Sequence, residues 1–155
     1  MNNNCKYKDL ILTDKKGQND LLEESYKSFC DCMNSNITFR GKSVWYKREM
    51  DLHNNKELGF EHIVSMKNNG YRIYEKNRML YVPLIKRILS DCSNVRCNNI
   101  VIYRDGKDIC IWCRENKYLI VLNERKNGYL LNTAYPVIYE NKIKEIERKA
   151  NENGL

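Results

Sequence analysis

The chain has 155 residues and a net charge of +7. That length suits one domain with a real core, and the periodic blocks of apolar residues exclude a disordered chain despite 30% charged residues. No apolar run approaches bilayer length, which excludes a membrane-spanning helix, and the basic excess favours a polyanionic partner, chiefly nucleic acid or an anionic membrane surface.

The opening MNNNCKYKD lacks the apolar centre of a signal peptide, so a cytoplasmic protein is expected. Residues 1 to 19 are polar and irregular apart from the short run Leu10, Ile11 and Leu12. Asp20 with Glu23 fits a capping box, and Leu22, Tyr26, Phe29, Cys30 and Met33 recur at helical spacing. An amphipathic helix over roughly 20 to 34 follows. Residues 37 to 48, ITFRGKSVWYKR, read as strand, turn and strand around Gly41. Cations alternate there with Phe39, Trp45 and Tyr46, a mixture that suits single-stranded nucleic acid and equally suits an ordinary exposed strand.

A polar connector, 51 to 58, leads to ELGFEHIVSMKNN, read as a helix from Glu57 to Asn69 stopped by Gly70. Phe60, Ile63 and Val64 share a stripe, and at about 100° per residue His62 points nearly opposite, toward solvent or a cleft. Pro83 is tolerated at a helix start, so a helix spans about 82 to 91, with a preceding turn from Arg78. It buries Leu84, Ile85, Ile88 and Leu89 and leaves Lys86 and Arg87 outward. Residues 98 to 114 give a hairpin around Asp105-Gly106. A charged helix from Tyr139 to Asn153 closes the chain.

Between them lies KYLIVLNERKNGYLLNTAYPV, residues 117 to 137. Asn127-Gly128 between branched and aromatic runs signals a two-residue hairpin loop. In that register Lys126 pairs with Tyr129, Glu124 with Leu131, Leu122 with Thr133 and Ile120 with Tyr135. One face then carries Lys126, Glu124, Tyr129, Thr133 and Tyr135, while Arg125 takes the other. A cation, an acid, a hydroxyl and two phenols make a candidate site; a polar outer face of an edge hairpin has the same composition. The predicted fold class is α+β: N-terminal helices, then a roughly four-stranded antiparallel sheet over 99 to 137, then a C-terminal helix.

The chemistry-bearing signals narrow the options. Cys110-Ile111-Trp112-Cys113 has the CxxC form, but strand alternation sends its two sulfurs to opposite faces, against chelation. The seven cysteines read as buried apolar residues in a reducing compartment. Gly-rich phosphate loops, GxSxG and HExxH are absent, and nothing demands a metal or cofactor. The two histidines are His53 and His62. A histidine on a helix, many cations and a Lys126/Thr133/Tyr135 face suit metal-independent RNA cleavage, in which the 2′-hydroxyl attacks its neighbouring phosphate.

The run YLIVLNERKNGYLLNTAYPV resembles the closing hairpin of phage- and prophage-encoded nuclease-like proteins of the barnase/EndoU/colicin/RelE (BECR) group. GFEHIVSM resembles that group's histidine helix, RMLYVPLIKRIL its next basic helix, and IVIYRDGKDICIWCR its first hairpin. The resemblance covers about 37 to 150, a nuclease domain of 37–155 behind an N-terminal extension of 1–36. It implies an endoribonuclease that leaves 2′,3′-cyclic phosphates, a phage-encoded toxin or conflict effector working in the host cytoplasm. It implies RNA as partner, with a cognate inhibitor or host protein as a further one. Carried over, His62, Lys126, Thr133 and Tyr135 are the catalytic candidates, and Arg78, Lys86, Arg125 and Tyr129 the substrate-binding ones. The sequence departs from the pattern at Leu80 and Tyr81, where a Glu-Arg pair is usual, and at Pro83, where an arginine is. An inert RNA- or protein-binding module of the same fold is the alternative. Tyr129, Tyr135 and Glu124 stay open as proton donor.

Overall fold

Strand alternation in the second half of the chain decides the architecture. A computed structural model describes residues 11–13, 17–52, 54–93 and 97–155; Leu10 and His53 lie outside the described residues. Strands β5 (Ile100–Asp105), β6 (Asp108–Cys113), β7 (Tyr118–Arg125) and β8 (Gly128–Pro136) run consecutively antiparallel, as the sequence predicts. On one face, Ile109, Ile111, Cys113, Ile120, Leu122 and Leu131 join the main core; on the other, Cys110, Trp112, Tyr103 and Leu119 form a second cluster. The two CxxC sulfurs therefore lie on opposite sides of the sheet.

The sheet is larger than the four strands expected. The 37–48 hairpin, β1 (Thr38–Phe39) and β2 (Lys42–Trp45), adds to it through a parallel pairing of β2 with β8, giving six strands in the order β1-β2-β8-β7-β6-β5. Helix α1 (Gln18–Met33) packs Leu21, Phe29 and Met33 into the main core. Its cap is Gly17, with no side-chain hydrogen bond, so the Asp20/Glu23 capping box is not formed and Asp20 sits in the first turn instead. α5 (Glu140–Asn153) covers the opposite face with Ile146 and Ala150. Glu147 holds it there, accepting from Trp112 Nε1 at 2.9 Å and from Arg114 Nε and Nη2 at 2.8 Å each.

The predicted helix 57–69 is only half helix. α2 (Leu58–Val64) ends at Ser65, and the chain turns into the hairpin β3 (Ser65–Asn68) and β4 (Tyr71–Tyr74). Asn69 and Gly70, with φ of 51° and 84°, form the positive-φ loop that an Asn-Gly pair favours. Arg78 lies on its own short helix, α3 (Lys76–Leu80), ahead of α4 (Leu84–Lys86) and a π-helical stretch, Arg87–Cys92. Leu84, Ile85, Ile88 and Leu89 are buried as the spacing predicts.

Two fully buried residues among those described carry a side-chain polar atom without a partner, Glu61 at Oε2 and Tyr118 at its hydroxyl. Tyr118 is fully buried, its ring stacked on Tyr81 at 6.2 Å between centroids, and its hydroxyl has no partner among the described residues. A buried donor without an acceptor costs about 1–3 kcal/mol. Tyr118→Phe is therefore expected to raise stability by about 1 kcal/mol. The check is a higher urea midpoint at unchanged m-value; a lower midpoint would mean the hydroxyl has a partner in solution.

Candidate functional site

The β7–β8 ribbon differs from its predicted register in a way that remakes the site. The loop is Lys126-Asn127, not Asn127-Gly128: Arg125 pairs with Gly128, Glu124 with Tyr129 and Leu122 with Leu131. Positive φ among non-glycine described residues occurs at Asn36, Arg40, Asn55, Asn69 and Lys117, and not in this loop. A bulge then intervenes. Val121 pairs with Thr133 and Leu119 with Tyr135, so Asn132 is the extra residue on β8. Because side chains alternate, one inserted residue moves everything beyond it to the other face. Tyr129 and Leu131 stay on the main-core face, whereas Thr133 and Tyr135 turn to the face covered by α5.

The expected single polar face is thus split. Tyr129 is 7% exposed, set edge-on against Phe39 at 5.2 Å, and is not available to a substrate. Lys126 and Arg125 are exposed at the loop end of the ribbon. Thr133 pairs with Val121, four residues before Arg125 and five before Lys126, so at about 3.3 Å per residue that loop lies about 15 Å along the strand from Thr133, too far to share one phosphate. Glu124 is there too, paired with Arg104 at 3.2 Å. Lys86 is exposed on α4, beside a separate depression lined by Cys32, Arg87 and Asp91.

Three predicted residues do converge. Arg78, Thr133 and Tyr135 line one cleft of about 670 Å³, within the usual range for ligand sites. The Arg78 guanidinium lies 4.6 Å over the centre of the Tyr135 ring, and its Nε is 3.4 Å from Glu75 Oε2. The Arg78 side chain is 13% exposed, so packing holds it in place. Lys67, Glu75, Tyr139 and Lys142 also line the cleft, and no sequence motif marks them. Lys67 has no ion-pair partner among the described residues, and Lys142 Nζ reaches Glu145 at 3.5 Å. Glu75 immediately precedes α3 without capping it by its side chain, which leaves the carboxylate for Arg78.

His62 contributes differently from the expectation. Thr133 Oγ1 donates to the His62 backbone carbonyl at 3.0 Å, tying α2 to the free stretch of β8. The Thr133 proton is committed there, while its oxygen can still accept. The imidazole is not among the groups that line the cleft. It is half-buried, and burial lowers its pKa, with Arg72, Lys47 and Lys67 pushing the same way, so it is neutral at pH 7. Next to it, Glu61 is fully buried and accepts from the Tyr74 hydroxyl at 2.9 Å. Burial raises the Glu61 pKa above its ordinary 4.5. A raised carboxyl pKa stabilises the fold at low pH, and that stability is lost as pH rises through the folded-state value. Glu61→Gln keeps an acceptor for Tyr74 and removes the titration. The variant is expected to gain thermal stability over the wild type as pH rises from 4.5 toward 8, with convergence at lower pH. A difference in Tm independent of pH would sink this reading.

No protein-family model matches this chain, and neither a curated protein nor a solved structure does. Among the described residues, no helix is long and apolar enough to cross a membrane, and no group of three or more His, Cys, Asp or Glu side chains could hold a metal ion.

Proposed function

We propose that the cleft is a phosphodiester site for RNA and that its chemistry is metal-independent endonucleolytic cleavage of the barnase/EndoU/colicin/RelE type. The observation that carries this is the meeting of Glu75, Arg78 and Tyr135 in one cleft, with Lys67 and Lys142 on its walls. Glu75 takes the 2′ proton as the 2′-oxygen attacks phosphorus. Arg78, with Lys67 and Lys142, stabilises the charge on the non-bridging oxygens. The bond from phosphorus to the 5′-oxygen breaks, and Tyr135 protonates that oxygen, leaving a 2′,3′-cyclic phosphate. Of the three proton donors open from sequence, Tyr129 is buried and Glu124 sits at the far end of the ribbon, which favours Tyr135.

A second reading, binding of RNA without cleavage, is favoured by one observation: His62 and Lys126 lie outside the cleft lining. Incubation of the purified protein with total RNA in EDTA separates the two. Cleavage to 2′,3′-cyclic ends that is lost in Glu75→Gln supports the enzyme. Intact RNA that is bound in a salt-sensitive way supports the module.

A further inference from the structure

Five of the eight exposed large apolar side chains among the described residues lie on the cleft or the adjoining hairpin; Met50, Leu52 and Leu155 do not. Met66, Ile138 and Tyr139 are 51%, 63% and 69% exposed, and all three line the cleft. The others nearby are on the β3–β4 hairpin. Met66 pairs with Ile73 and Asn68 with Tyr71, so Met66, Ile73 and Tyr71 share one face of that hairpin, while Lys67 and Arg72, also paired, take the other. Ile73 is 52% and Tyr71 78% exposed. The hairpin forms a sheet of its own rather than extending the main one. A face that holds a free phenol and two apolar side chains in water, continuous with a cationic cleft, points to a ligand with flat apolar surfaces joined by negative charge.

We propose that the Met66/Tyr71/Ile73 face, together with Tyr139 on the cleft wall, is a base-stacking subsite for unpaired nucleotides flanking the phosphate held by Arg78. The proposal rests on the RNA reading above and adds where the bases go. Unpaired bases can lie flat on tyrosine rings, while the bases of a duplex are already stacked on each other. Lys67, Arg78 and Lys142, which line the cleft, neutralise the connecting phosphates, while Arg72 donates to Ser65 Oγ at 3.2 Å. A single strand therefore uses both the apolar and the cationic surfaces; a duplex uses only the cationic one.

The test is fluorescence anisotropy with a fluorescein-labelled 2′-O-methyl RNA twelve-mer, which lacks the attacking hydroxyl, alone and annealed to its complement. Single strand is expected to bind at least about tenfold tighter than duplex, and Tyr71→Ala and Tyr139→Ala each to weaken single-strand binding about tenfold. Tyr71→Phe should retain it, since the ring and not the hydroxyl does the stacking. Tyr71 is on the surface, so its loss leaves the core untouched. Equal affinity for both forms, or tyrosine variants that bind single strand as the wild type does, overturns the subsite and leaves the RNA reading standing. Binding of neither form overturns both. Concentration-dependent self-association in sedimentation that Tyr71→Ala abolishes would assign this face to a second copy of the chain and overturn the subsite as well.

Discussion

Replacing Arg78 with alanine is expected to lower the rate constant for RNA cleavage about 10²- to 10³-fold, the usual loss when a preorganised donor to a developing oxyanion is removed. Arg78 is the cleft cation most firmly fixed, by the Tyr135 ring beneath it and Glu75 beside it. Its planar fork can give two parallel hydrogen bonds to one phosphate, which a lysine cannot. Arg78→Lys should therefore fall between alanine and wild type. If the guanidinium acts chiefly on the transition state, kcat and kcat/KM fall together; if it only holds the ground state, KM rises alone. Thermal denaturation guards against a trivial cause, because Arg78 is packed on the Tyr135 ring and its truncation removes packing as well as an ion pair. Lys126→Ala, at the far end of the ribbon, is expected to cleave within about threefold of wild type, since the extended strand keeps that cation about 15 Å from the site. Wild-type cleavage by Arg78→Ala, or a collapse of activity in Lys126→Ala, would overturn the assignment.

The contrast between these two cations shows what the sequence can and cannot reveal. Alternation in β5 to β8 is legible because every second residue must be apolar on each covered face, and so the antiparallel run and the split CxxC are both readable. The stripe Leu84, Ile85, Ile88, Leu89 is legible for the same reason. The bulge at Asn132 is not, because Leu130, Leu131 and Ala134 are apolar on either side of it and no period marks the inserted residue. That single residue decides which face Thr133 and Tyr135 take. The β3–β4 hairpin carries a sequence signal of its own. Asn69-Gly70 carries the same signal as Asn127-Gly128, and it is the former pair that makes the positive-φ loop. The helical stripe ending at Val64 competes with that signal and hides Lys67 and the platform around Met66. Glu75 and Lys142 had no motif to announce them; only tertiary packing brings them to Arg78 and Tyr135.

Gly128 explains why the second Asn-Gly pair behaves differently, and it carries the largest expected effect on stability. It is the first residue of β8 and lies opposite Ser43 in the parallel pairing of β2 with β8. A Cβ there would collide with the Ser43 carbonyl oxygen and come within 2.6 Å of the Trp45 ring. The carbonyl is backbone, so relief requires β2 to move away. The Ser43, Val44 and Trp45 pairings with β8 then go together, and with them the contact of Phe39 on Tyr129. Gly128→Ala is expected to cost about 3 kcal/mol, the upper part of the range for forced overpacking, and to lower Tm by about 10 °C in a chain of this size. Gly17→Ala is the control for the steric term, because nothing lies within 4 Å of a Cβ there, and as the cap of α1 it should lose only about 1 kcal/mol or less. Hydrogen exchange should show lost protection in Thr38–Trp45 first, with β5 to β7 holding longer, since the latter strands do not depend on the contact. A Tm for Gly128→Ala within about 2 °C of wild type would mean that the β2–β8 approach relaxes at little cost. The glycine would then be a turn residue after all, and the six-stranded sheet less firmly joined at β2 than the close approach requires.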